Sequence, residues 1–216
     1  DNVFSVIKDR PDLEQDLLDS FSNNQIASKT ALLEAVDTHT NIDKESTVTI
    51  WGSWYGSILV PMLADRVKKI LCMDLDNEPL QIAKNRLFPE HKNVDYIAGD
   101  VFANCKKQYL ETNLIINTSC EHMPPMKEWP WFGPGALKED NIPGKDPKIS
   151  SNCYFAFQSN NMFGIEGHIN CVVRTHSILA WDLGTRSQNF HHQRLKRQGV
   201  VTVVEDEFHS QPCLTI

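Results

Sequence analysis

Between residues 46 and 119 the chain changes character every few residues. Short apolar, β-branched runs alternate with segments of helical spacing. STVTI leads into Trp51, VKKILCMDLD spans 67–76, NVDYIAGD spans 93–100 and NLIINTS spans 113–119. Between them stand SILVPMLADR (57–66), NEPLQIAKNRLF (77–88) and a looser helical patch. Pro61 falls early enough in its helix to be tolerated in the first turn. Strands joined by helices of this length read as βαβ units, which predicts an α/β fold with a mostly parallel sheet and helices on its faces.

The flanks are simpler. PDLEQDLLDSF (11–21) and NNQIASKTALLEAVDTHT (23–40) read as two helices, the second capped by Asn23 or Asn24. Residues 123–149 carry six prolines and three glycines, so a long loop is expected there, of the kind that forms lids or binding loops. Strand character returns at 153–159, 168–175 and 199–208. The 216 residues suffice for one substantial core. The expected organisation is a single domain, 1–216, with an N-terminal helical cap over 1–46 and a ligand-binding core over 47–122. A lid or substrate loop follows over 123–150, and the second half of the sheet occupies 151–216.

A formal charge of -7 and a pI of about 5.6 supply no broad cationic surface for nucleic acid. The most basic run, HHQRLKRQG at 191–199, is short and mixed, and reads as a solvated face. Six cysteines show no CxxC spacing, and several sit in apolar runs such as ILCMD, where they act as small hydrophobes. That favours a reducing compartment. No stretch approaches membrane-spanning length and no basic-then-apolar leader opens the sequence, so a cytoplasmic protein without membrane contact is expected. Oligomeric state has no signature.

In a parallel sheet, ligands gather beyond the carboxyl ends of the strands. Four pieces converge there: GSWYGS (52–57), DLD (74–76), GDV (99–101) and NTSCEHM (117–123). Gly52 and Gly56 either let a ligand approach the main chain or permit a tight turn. Asp74 follows Gly52 by close to the ~20 residues that separate a glycine loop from a ribose-binding acid. Asp76 either serves the same ligand or starts the next helix. The loop lacks both GxGxxG and GxxxxGK[ST], which argues against a dinucleotide or nucleoside triphosphate. Acidic and aromatic surroundings suit a cationic ligand without phosphate. Trp54 and Tyr55 either face a sulfonium or purine ring, or pack on a neighbouring helix.

These motifs, in this order, resemble the class I S-adenosylmethionine-dependent methyltransferases. VTIWGSWYGS is similar to the first cofactor loop, CMDLD to the ribose-acid motif, YIAGDVF to the adenine-side loop and LIINTSCEHM to the motif beside the methyl group. The resemblance covers residues 23–122 and continues more weakly through SNCYFAFQSNN and EGHINCV. The SWYG version departs from the usual small residues and marks a small branch of the family. The resemblance implies a Rossmann-like fold with S-adenosyl-L-methionine as cofactor. It places Gly52, Ser53 and Gly56 under the methionine part, Asp74 on the ribose, Leu75 and Val101 against adenine, and Asp100 on the adenine amine. Asn117 would sit near the amino group with Ser119 beside it, while Gln25 and Lys29 would close the pocket from above, Lys29 being equally readable as a solvent-facing helix residue.

Methyl transfer needs an aligned nucleophile and, where required, a proton acceptor. Glu121 and His122 stand where such a base would work. Either is a catalytic candidate, or Glu121 anchors an ammonium group and His122 positions the long loop. Cys120 reads as a buried spectator. His168, Asn160 and Asn161 could line the same cleft, and Trp129, Trp131 and Phe132 could wall off an apolar substrate. Glu121, His122 and His168 are spaced too loosely for a metal site, and none is expected. The function expected is methyl transfer to a small molecule. The alternatives are an RNA or protein methyltransferase, a cofactor-binding protein without transferase activity, or different chemistry on the same cofactor.

Overall fold

The computed structural model describes residues 2–101, 112–123, 154–159, 200–204 and 213–215. Three helices come first: α1 (Asn2–Asp9), α2 (Glu14–Ser20) and α3 (Asn23–His39). There follow β1 (Thr47–Trp51), α4 (Leu59–Leu63), β2 (Lys69–Asp74), α5 (Asn77–Ile82) and β3 (Val94–Ala98). Then come β4 (Leu114–Asn117), β5 (Tyr154–Ser159), β6 (Val200–Val204) and β7 (Cys213–Thr215). The strands form one sheet in the order β3-β2-β1-β4-β5-β6-β7. Every pairing is parallel except β6 with β7 at the edge. The order turns round between β1 and β4, as in a doubly wound Rossmann-like sheet, and that reversal is where such sheets hold ligands. The α/β fold class expected from the sequence is the one observed.

Side chains alternate across a strand, so each strand serves two faces. Val48, Ile50, Ile70, Cys72, Leu114, Ile116 and Ala156 share one face and one apolar cluster. Every described α-helix adds to that cluster, through Val6, Leu17, Leu32, Val60 and Leu80 among others. The alternate residues Trp51, Leu71, Met73, Ile115 and Phe155 are buried too. Thr49 on that side meets the Thr112 hydroxyl at 2.9 Å, so its polar atom is satisfied. Burial on both faces explains why the strands read as unbroken apolar runs. The looser helical patch before β4, the loop at 123–149 beyond Met123 and the strand at 168–175 fall outside the described residues.

Several local expectations are corrected. The helix expected over 11–21 is a 3₁₀ turn over Pro11–Leu13 followed by α2, because Pro11 has no N–H to extend a regular helix backwards. The cap of α3 is Ser22, whose hydroxyl accepts the Gln25 N–H at 3.4 Å, and not Asn23 or Asn24. The helix read over 77–88 ends its α-helical course at Ile82 and continues as a π-turn over Ala83–Leu87, closed by Phe88 N–H to Ala83 C=O at 2.8 Å. α1 was not expected, although Val3, Val6 and Ile7 have helical spacing and pack on the core. It is held by long-range contacts: Asn2 donates to Leu87 C=O at 2.8 Å, and Arg86 pairs with Asp9 at 2.7 Å. Among the described residues no helix is long and apolar enough to cross a membrane.

Candidate active site

At the end of β1 the chain makes a turn in which left-handed and ordinary residues alternate. Gly52, Trp54 and Gly56 have φ of +59°, +49° and +64°. Two of these are glycines, for which the region costs little; the third is a tryptophan, for which it is strained. Three bonds hold the turn. Ser53 N–H donates to Met73 C=O at 3.1 Å, Gly56 N–H to Ser53 C=O at 2.7 Å, and Trp54 N–H to the Asp74 carboxylate at 2.7 Å. Asp74 takes the Asp76 N–H on its other oxygen at 3.1 Å. The Gly52-to-Asp74 spacing therefore has a use within the chain: the acid fastens the loop. Asp76 in turn caps α5 by accepting the Glu78 N–H at 2.9 Å.

The glycines face protein more closely than open space. A Cβ on Gly52 would lie 2.5 Å from Ser119 Cβ, and one on Gly56 would lie 2.7 Å from Val60 Cγ2. The β4 exit is thus packed against the loop, and Ser119 Oγ donates to Gly52 C=O at 3.0 Å. Asn117 organises that exit. Its side-chain oxygen accepts the Ser119 N–H at 3.0 Å and its amide approaches Met123 Sδ at 3.2 Å.

A cavity of about 740 Å³ opens over these strand ends. The β1 loop contributes Gly52, Ser53, Trp54 and Gly56 to its wall. The β2 and β3 ends contribute Asp74, Leu75, Asp76, Asp100 and Val101. From the β4 side come Ser119, Glu121 and His122, and from α3 come Gln25 and Lys29. Two expected residues lie elsewhere. Tyr55 is 1% exposed and belongs to the core, its ring 5.1 Å from that of Trp54, and burial pushes its hydroxyl pKa up to about 12. Asn117 is fully buried and engaged with the β4 exit, so it does not line the cavity. Trp54 lines the cavity and also packs on the core cluster.

Glu121 is buried while His122 is half exposed, with Nε2 3.9 Å from Glu121 Oε1. That distance is too long for a hydrogen bond. Among the described residues no group of three or more His, Cys, Asp or Glu could hold a metal. His168, Asn160, Asn161 and the aromatic residues of the long loop lie outside the described residues. Sequence reasoning passed over Ser20, Ser57, Ile58, Leu59, Thr118 and Met123 as lining residues. Ser57 sits within the quoted glycine loop. Ser20 carries no local signal, because only the packing of α2 brings it to the cavity.

No protein-family model and no curated protein matches the sequence. Among solved structures, a SAM-dependent methyltransferase from Thiobacillus denitrificans in complex with S-adenosyl-L-homocysteine is 19% identical, with a TM-score of 0.34 over 46% of this chain and 37% of that one. A dimethyladenosine transferase from Plasmodium falciparum is 19% identical, with a TM-score of 0.35 over 45% of this chain and 33% of that one. A precorrin 8w decarboxylase from Methanobacterium thermoautotrophicum is 15% identical, with a TM-score of 0.35 over 42% of this chain and 48% of that one. The chain spans a third to a half of the length of these structures. Likenesses of this extent add nothing to the fold that the strand order does not give, and their activities stay with those proteins.

Proposed function

We propose that the protein binds S-adenosylmethionine and transfers its methyl group to a small molecule. The polarity of the cavity carries this reading. Four carboxylates, Asp74, Asp76, Asp100 and Glu121, stand against one lysine and one histidine, and no arginine lines the wall among the described residues. Such a wall repels phosphate and attracts a cation. A volume of about 740 Å³ lies in the range of small-molecule sites. Beyond the two backbone N–H groups it already accepts, Asp74 retains a lone-pair direction on each oxygen, which fits a pair of ribose hydroxyls.

When bound, the cofactor supplies a methyl group on a sulfonium. In this reading Leu75, 77% exposed, offers apolar surface to adenine, with Val101 against the ring and Asp100 accepting from its amine. Glu121 or His122 takes the proton of the methyl acceptor. The N-terminal segment, which brings Gln25 and Lys29, acts as the cap, and residues 123–150 act as lid or substrate loop. A small acceptor is favoured over RNA because a formal charge of -7 supplies no broad cationic surface, and among the described residues four cations already face acids. Arg10 pairs with Asp12 and Glu78, Arg66 with Asp37, Lys69 with Asp95 and Arg86 with Asp9.

Incubating the protein with methyl-labelled cofactor and a metabolite extract tests the reading. The expected result is a labelled product of low molecular weight together with S-adenosylhomocysteine. Label in RNA or polypeptide would move the acceptor class. Methylthioadenosine would mark attack on the aminobutyrate arm, and tight binding of S-adenosylhomocysteine without turnover would mark a binding protein.

A further inference from the structure

Two serines at the cavity wall are hydrogen-bonded to each other. Ser20 ends α2, and Ser57 is the last residue of the glycine loop. Both line the cavity and both are buried, at 4% and 6% exposure. Their oxygens are 2.7 Å apart, and the Ser20 hydroxyl also donates to Leu17 C=O at 2.8 Å. A hydroxyl owns one proton. With both bonds made, Ser20 gives its proton to Leu17 and the proton between the two serines comes from Ser57. No other hydrogen bond to the Ser57 side chain occurs among the described residues. In that arrangement the Ser57 oxygen keeps a lone pair to accept with and has no proton left to donate.

We infer that Ser57 is a ligand-binding residue that selects a hydrogen-bond donor, and that on the cofactor reading the donor is the ammonium group of the amino-acid arm. Ser20 is the positioning residue, since its bond to Leu17 sets which way the Ser57 proton points. A carboxylate at the same place would meet lone pair against lone pair, and Ser57 could donate to it only at the loss of a bond in this chain, Ser57–Ser20 or Ser20–Leu17. The assignment rests on the proposed cofactor, and the serine chain adds a statement about which end of the ligand meets Ser57.

The test is calorimetric and needs no turnover. Affinities for S-adenosylhomocysteine, its deamino analogue and its decarboxylated analogue are measured on the wild type, Ser57→Ala and Ser20→Ala. Ser57→Ala should bind S-adenosylhomocysteine roughly ten- to a hundredfold more weakly, as expected for a hydrogen bond to a charged group. It should bind the deamino analogue as the wild type does. Ser20→Ala releases the Ser57 proton, and should narrow the preference for the amine-bearing ligand at least threefold (the arm that decides if Ser57→Ala does not fold). Equal losses with and without the amine overturn the assignment. A loss that vanishes only with the decarboxylated analogue overturns it too, because Ser57 would then be donating to a carboxylate. Wild-type protein that binds no S-adenosylhomocysteine instead overturns the cofactor reading, and the ligand named for Ser57 falls with it.

Discussion

A glycine can be required by its own backbone angle, by its neighbours or by a ligand, and the two loop glycines separate these causes. Both have left-handed φ, so alanine at either costs about 1–2 kcal/mol from the backbone alone. Crowding adds ~1–3 kcal/mol, and it comes from different partners, Ser119 for Gly52 and Val60 for Gly56. Urea unfolding of Gly56→Ala with and without Val60→Ala should therefore show partial rescue, while Ser119→Gly should rescue Gly52→Ala and leave Gly56→Ala unchanged. Rescue in neither pair would mean that the cost is conformational. Asp74 has a similar double life. Because it holds two backbone N–H groups, Asp74→Ala should lower the stability of the ligand-free protein by about 1–3 kcal/mol as well as weaken cofactor binding. An unchanged urea midpoint without ligand would remove the fastening role. The sequence made the glycines and Asp74 legible through their spacing. It left Tyr55 ambiguous, because a ring in a turn points to ligand or core according to a backbone twist that only the folded loop displays. Beneath this loop, burial pushes the Cys72 thiol from 9.0 to about 12. Between those values the unfolded chain has released a proton that the folded chain keeps. Stability should hold below pH 9.0 and then fall by up to ~1.4 kcal/mol per pH unit. Cys72→Ala should flatten the first part of that fall, read as the slope of urea stability against pH.

Elements that bury both faces announce themselves, and those held by distant partners do not. β1, β2 and β4 were legible as apolar runs because neither face needs a polar residue. α1 announced itself only faintly: its apolar stripe of Val3, Val6 and Ile7 spans two turns, Phe4 is 75% exposed, and its fastening to Leu87 and Arg86 lies far along the chain. The π-turn after α5 was silent, since one extra residue in a turn leaves the apolar spacing almost intact. α3 was read as a helix, and besides its apolar packing a tertiary bond ties it to the sheet beside the cavity. Gln158 on β5 is 2% exposed and donates to Ser28 C=O at 3.1 Å, in the stretch of α3 between Gln25 and Lys29. Gln158→Leu removes this donor at similar volume. Amide hydrogen exchange across α3 should accelerate, with a loss of about 1–2 kcal/mol in overall stability. Unchanged exchange in α3 would mean that apolar packing alone seats the helix.

At the scale of the whole molecule, the strand order places β1 inside the sheet, third from one edge, with unequal neighbours. On one side it pairs with β2, which follows after a single short helix; on the other it pairs with β4, which comes only after β2 and β3 have gone by. The same arrangement that opens a crevice for a ligand also imposes a sequence of events in time. Closing the nearer loop costs less chain entropy, so a half-sheet of β3, β2 and β1 should form before β4 arrives. During that interval the far edge of β1 is bare, apolar on both faces, and open to strands of another copy. Pulse-labelled refolding should protect the amides that β1 shares with β2 before those it shares with β4, and the yield of refolded protein should fall with concentration over that interval alone. Simultaneous protection would mean that the sheet forms in one step. A newly made chain is thus most exposed to misassembly after β3 has left the ribosome and before β4 has done so.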